Sequence, residues 1–241
     1  MKKRKSRILL ITVLTLLLLG IAFCLWVSAV YSASPEAAAL LQGSDAVKVE
    51  PFDKGWRLDG PGEGSALIFY PGGKVEPTAY LPLLMALAED GIDCFLVKMP
   101  LDLAVFDINA AASVQDAWTY ARWYIGGHSL GGACAALYAA ENGDRLTGLI
   151  LLAAYATRPL NEGLSVLELH GSEDGVLNRK KLEAGRQYLP PSAVSRELPG
   201  GNHAQFGAYG VQRGDGTASL SPAAQLAWTV DGIEEMILAE K

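Results

Sequence analysis

Short apolar runs alternate with longer stretches of helical character from about residue 46 onward. The runs that predict strands cover residues 46–50, 55–58, 66–70, 92–97, 123–126, 149–153, 166–170 and 193–198. Several of them, Ala66-Leu67-Ile68-Phe69-Tyr70 among them, carry no charged position at all. That is the pattern of a strand covered on both faces of a parallel sheet. Helices are predicted between them over residues 78–90, 108–120, 130–142 and 178–188. A last helix is signalled by Ser221 as a cap, Pro222 at the first helical position, and Leu226, Val230, Ile233 and Ile237 on one face. Alternation of this kind over ~200 residues predicts an α/β fold, a mostly parallel central sheet with helices on both faces.

A different pattern precedes it. Residues 8–30 hold no ionisable side chain except Cys24, and Lys2, Lys3, Arg4, Lys5 and Arg7 stand before them. At ~1.5 Å per residue such a run is long enough for a ~30 Å hydrocarbon layer. The expected organisation is a basic cytoplasmic segment at 1–7, a transmembrane signal-anchor at 8–30, a linker at 31–44 and the α/β domain at 45–241. The positive-inside rule then places that domain on the non-cytoplasmic side of the cell membrane. A cleaved signal peptide is the alternative and would leave a secreted domain, although its apolar core is usually only ~7 to 15 residues long. Phe23 in front of Cys24 does not suit a lipoprotein signal.

Charge narrows the partners. The chain has 20 Lys and Arg against 26 Asp and Glu, and no acid precedes Glu36. The α/β part is therefore strongly acidic and would be repelled by a phosphate backbone, so nucleic acid is not an expected partner. Of the three cysteines, Cys94 lies in an apolar run and Cys134 in an Ala-rich helix. Both read as small buried apolar residues, with a disulfide between them the alternative in an oxidising compartment. No Cys/His spacing suggests a metal site, and no cofactor is implied.

Ligand sites in open α/β sheets form beyond the carboxyl ends of the strands. The segments expected there are Pro71-Gly72-Gly73-Lys74, Gly126-Gly127-His128-Ser129-Leu130-Gly131-Gly132, Gly171-Ser172-Glu173-Asp174-Gly175 and Gly200-Gly201-Asn202-His203. The second contains G-x-S-x-G, the sharp strand-to-helix turn that exposes a strained serine, here Ser129. Small residues after it, Ala133 to Ala136 with Cys134 among them, let the helix pack closely on the sheet.

A serine nucleophile needs a base. His128 is its direct neighbour, where successive side chains diverge, and His170 ends a strand ahead of any suitable acid. His203 follows all the carboxylates concerned, in the order Ser, acid, His. Asp174 is the expected acid, in a turn 29 residues before His203, with its neighbour Glu173 the competitor. Asp102, Asp107 and Asp144 read as capping or solvated carboxylates. The oxyanion of an acyl transfer needs two N–H donors. Leu130, at the helix N-terminus just after Ser129, supplies one. Gly73 is the expected source of the other, with Lys74 next.

Taken in order, these four segments resemble the alpha/beta hydrolase fold, in particular its small esterase-like branch related to dienelactone hydrolases, across about residues 45 to 240. The resemblance implies a central sheet of about eight strands and a Ser129, Asp174, His203 triad. Two departures bear on activity. Pro71 stands where many lipases and esterases have His, and Ser replaces the nucleophilic Cys of dienelactone hydrolases, which favours plain ester or thioester substrates. Larger relatives insert a cap where this chain has only residues 154–165, so no cap domain and an open site are expected. Leu101, Leu103, Val105 and Phe106 could form an apolar acyl wall.

The resulting expectation is a membrane-anchored serine hydrolase that cleaves carboxylic esters or thioesters of small molecules through an acyl-enzyme. The alternatives are an acyltransferase using the same triad and a catalytically silent binding module. Nothing in the sequence addresses oligomeric state.

Overall fold

The computed structural model describes residues 12–21 and 26–238. All eight expected strands form: β1 Lys48–Phe52, β2 Gly55–Asp59, β3 Ser65–Tyr70, β4 Asp93–Val97, β5 Arg122–His128, β6 Gly148–Leu152, β7 Ser165–Gly171 and β8 Val194–Leu198. They make one sheet in the order β1-β2-β4-β3-β5-β6-β7-β8. The first two strands join as antiparallel neighbours, and every pairing from β4 through β8 is parallel.

The apolar runs have no polar face because they serve two cores. Leu67 and Phe69 of β3, Cys94 and Leu96 of β4, and Ile150 and Leu152 of β6 face one cluster. Their alternate neighbours Ile68, Phe95 and Leu151 face the other. Side chains of a strand point to opposite faces in turn, so each run is divided evenly between the two layers. Helices α2 (Leu81–Glu89) and α6 (Pro222–Leu238) cover the first cluster, and α3 (Ala110–Ala117) and α4 (Leu130–Asn142) the second. Two short helices complete the set, α1 (Pro35–Ala39) and α5 (Arg179–Gly185). Cys94 and Cys134 lie in different clusters with the sheet between them and both are free thiols. Burial pushes Cys134 up to about 11 and raises Cys94 as well.

The chain from Tyr31 onward forms one compact unit. Tyr31 bridges to Val75, Ser34 N–H donates to the Ala208 carbonyl at 2.7 Å, and Ser34 Oγ caps α1. Between β6 and β7 the chain passes directly over residues 153–164 without a helix, so no cap is inserted there.

The reading of residues 8–30 as a transmembrane signal-anchor is corrected by the structure. Among the described residues no helix is long and apolar enough to cross a membrane. Helix is described over residues 12–21 and 26–28, and residues 29 and 30 stand outside it. The expected membrane attachment and cell-membrane placement fall with the signal-anchor. Residues 8–11 and 22–25, and the basic segment 1–7, lie outside the described residues.

Ile68, fully buried at the centre of β3, offers a direct measure of how much the second core contributes. Ile68→Ala should destabilise the protein by about 2–5 kcal/mol in urea unfolding, because the flanking ladders prevent collapse around the gap. A loss below ~1 kcal/mol would show a layer that repacks freely.

Candidate active site

The parallel order carries the ends of β3, β5, β7 and β8 to one rim of the sheet. Ser129 stands between β5 and α4 at φ 54° and ψ −120°, a left-handed conformation that costs a non-glycine residue of order 1–3 kcal/mol. Its N–H donates to the Leu152 carbonyl at 2.9 Å, fixing the turn to β6. The helix that follows approaches the sheet so closely that a Cβ on Gly131 would lie 2.2 Å from the carbonyl oxygens of both Tyr70 and Pro71. No side chain fits there, which is why the elbow needs glycine after its serine.

Asp174 and His203 meet. The Asp174 carboxylate accepts the His203 Nδ1–H at 2.8 Å, and both side chains are shielded from solvent. The other Asp174 oxygen accepts the N–H groups of Val176 at 2.9 Å and Leu177 at 2.7 Å. Burial alone would raise this carboxyl. The hydrogen bond and charge of His203, with the two backbone donors, more than offset it and hold Asp174 below its ordinary value. Glu173 is exposed, and its carboxylate accepts from Ser172 Oγ. With its Nδ1–H engaged, the His203 ring presents Nε2 as an acceptor. That atom is buried and has no hydrogen-bond partner among the described residues.

Ser129 and His203 line the same open cleft of about 250 Å³, with Leu130, Ala133, Ala153 and Ala154 on one side and Val176 and Leu177 on the other. The segment expected as an acyl wall stands mostly apart from it: Val105 and Phe106 are exposed. Only Leu103 approaches, within 3.5 Å of the Gly73 Cβ position.

The turn after β3 separates its donors clearly. Gly72 N–H donates to Tyr80 Oη at 3.0 Å, and Lys74 N–H to the Asp102 carbonyl at 2.8 Å. Gly73 N–H has no acceptor among the described residues. A Cβ on Gly73 would sit 2.8 Å from Leu130 Cδ2, so the two expected donors flank the same space. Leu130, first in its helix, has no intrahelical acceptor for its own N–H.

The two other histidines have different surroundings. His128 is buried with Nδ1 2.8 Å from Tyr80 Oη, and its ring centroid is 4.4 Å from that of His203. Burial, then repulsion from His203, holds it well below the usual histidine range. His170 Nε2 lies 3.4 Å from Glu197, and burial lowers it too.

Two residues that hold the His203 loop have no sequence signature. Asp215 accepts from His203 N–H at 3.2 Å, Ala204 N–H at 2.8 Å, Gly175 N–H at 3.1 Å and Gly216 N–H at 2.8 Å. It thereby joins the His203 loop to the Asp174 turn. Gln225, fully buried in α6, accepts the Asn202 N–H at 3.0 Å and donates to the Asn202 carbonyl at 2.8 Å. A loop carboxylate and a helix amide look like ordinary surface residues until the fold brings backbone donors to them.

Asp215→Ala should leave four backbone N–H groups without their acceptor. The expected loss is roughly 1–3 kcal/mol of stability, with faster amide hydrogen exchange at residues 203 and 204. Unchanged exchange there would show that the loop is held by other contacts. Acidification gives a second check. His128 and His170 titrate lower in the folded than in the unfolded chain. Between those values the unfolded chain binds more protons, so stability falls as pH drops below ~6.5, the ordinary histidine value. Denaturant midpoints at pH 7 and pH 5 should differ in that sense, and His170→Asn should reduce the difference.

Comparison with known proteins agrees with this architecture. Est1E from Butyrivibrio proteoclasticus superposes with a TM-score of 0.55 at 16% identity, covering 80% of this chain and 100% of that one. The carboxylesterase CesB from Bacillus subtilis gives 0.58 at 10% identity, over 85% and 95% of the two chains. A dienelactone hydrolase from Anabaena variabilis gives 0.59 at 12%, over 80% and 99%. At such identities the likeness is one of fold. No curated protein matches the chain by sequence. The sequence profile of the alpha/beta hydrolase family matches residues 66–227, a span that includes β3 and its glycine turn, the Ser129 elbow, the Asp174 turn and the His203 loop, and the chain belongs to that family.

Proposed function

We propose that the protein is a serine hydrolase that cleaves carboxylic esters or thioesters, with Ser129 as nucleophile, His203 as base and Asp174 as the acid that orients it. The observation that carries this reading is the Asp174–His203 hydrogen bond at 2.8 Å, which engages Nδ1 and leaves Nε2 as the ring nitrogen free to serve Ser129, in the cleft that both residues line. Ser129 Oγ attacks the carbonyl carbon while its proton passes to His203 Nε2 and the carbonyl π electrons move to oxygen. The N–H groups of Gly73 and Leu130 stabilise that oxyanion, and Asp174 stabilises the imidazolium. Collapse breaks the bond to the leaving group, which departs with the proton from His203. Water then attacks the acyl-Ser129, again giving a proton to His203, and the carboxylic acid is released with Ser129 restored.

Substrate size follows from the walls. A cleft of about 250 Å³ lined by alanines, Val176 and Leu177 suits a short acyl group. No inserted cap covers it, so a bulky alcohol portion can extend into solvent. The solved structures of similar fold include a carboxylesterase, which supports this class of reaction.

Ser129→Ala should reduce kcat for p-nitrophenyl acetate by about 10⁴-fold or more, and should abolish labelling by a fluorophosphonate probe. Asp174→Asn should cost about 10⁴-fold, because the amide favours the wrong imidazole tautomer, whereas Glu173→Gln should change little. Full activity in purified Ser129→Ala protein would falsify the assignment.

A further inference from the structure

We infer that Tyr80 and His128 form a buried positioning bridge that ties the oxyanion turn to the base loop. This rests on the triad reading above and adds two residues that touch neither substrate nor the reacting atoms.

Three observations converge on it. Tyr80 Oη accepts the Gly72 N–H and lies 2.8 Å from His128 Nδ1, and the bridge assigns the phenol proton to that nitrogen. Tyr80 and His128 are almost entirely buried, so neither group can turn to water instead. The three groups also close on one another without room to spare. A Cβ on Gly72 would stand 2.7 Å from Tyr80 Oη and 2.8 Å from His128 Nδ1. On the other side of the bridge the His128 ring packs against His203 at 4.4 Å and Phe206 at 5.9 Å between centroids.

The bridge therefore spans the machinery. Gly72 precedes the donor Gly73, His128 precedes the nucleophile, and His203 is the base. The direction of the hydrogen bond also sets a protonation state. With Nδ1 accepting, the neutral His128 ring carries its proton on Nε2. Burial keeps the ring neutral, so the proton released by Ser129 has one destination, His203. A cationic ring 4.4 Å away would oppose formation of the His203 imidazolium.

The test is a double-mutant cycle read on kcat at a temperature well below unfolding, in the full chain with p-nitrophenyl acetate. Tyr80→Phe and His128→Leu should each lower kcat about tenfold with KM within about twofold, and the double variant should lose no more than either single one. His128→Asn, whose Oδ1 can take the place of Nδ1 as acceptor, should recover most of the rate lost in His128→Leu. Additive losses, kcat unchanged in either single variant, or an Asn variant no better than the Leu variant would overturn the bridge. Should a variant fail to fold, ring-nitrogen NMR of Ser129→Ala protein decides instead. His128 should remain neutral with its proton on Nε2 from pH 8 to pH 5, and the other tautomer or protonation in that range would overturn the proposal. Fluorophosphonate labelling of the wild type separates the two readings. A labelled Ser129 with additive losses removes the bridge alone, and an unlabelled Ser129 removes the triad and the bridge together.

Discussion

The end of β3 and the start of α4 come so close that the carbonyls of Tyr70 and Pro71 leave Gly131 no room for a Cβ. That approach keeps Ser129 in its left-handed conformation, because the helix after the serine cannot relax away from the sheet without losing its packing. The same contact brings Gly73 against Leu130. A single steric constraint thus holds the Ser129 turn and brings the Gly73 turn against the start of α4. The cost of the strained residue is met by the two continuous cores on either side of the sheet, each closed by its own pair of helices.

Burial divides the ionisable groups by task. Asp174 is kept charged in a dry site by one imidazole and two amides, and His128 is kept neutral by a site of similar dryness with no carboxylate partner. Both are shielded from solvent, and their partners alone make the difference.

The strands were legible because a parallel sheet buried on both faces writes itself as uninterrupted apolar runs, and every strand end lies within two residues of its expected position. The strand-end segments that hold Ser129, Asp174 and His203 were legible because turn residues mark strand ends. Helix ends were less so. Residues 108–120 carry helical character, yet α3 covers only Ala110–Ala117, since Trp118 is extended and packs its ring on Phe95. Asp215, Gln225 and Tyr80 were not legible at all. Each acts through backbone groups or rings distant in sequence, and a side chain's value as a partner depends on what tertiary folding leaves unsatisfied beside it. The N-terminal apolar run misled for the converse reason, since composition alone does not establish a spanning helix, and none is long and apolar enough among the described residues.

The grip of Gln225 on both backbone groups of Asn202 has a temporal side. The His203 loop leaves the ribosome before α6 does, and one of the side chains that fix it is carried on α6. Until residues 222–238 have docked on the first core, Asn202 lacks the partner for both of its backbone groups, and the loop that carries His203 is held only from the side of Asp174 and Asp215. A nascent chain would therefore carry a folded sheet and the Ser129 elbow before the clamp on Asn202 closes, and the His203 loop would gain its last backbone partners only with α6.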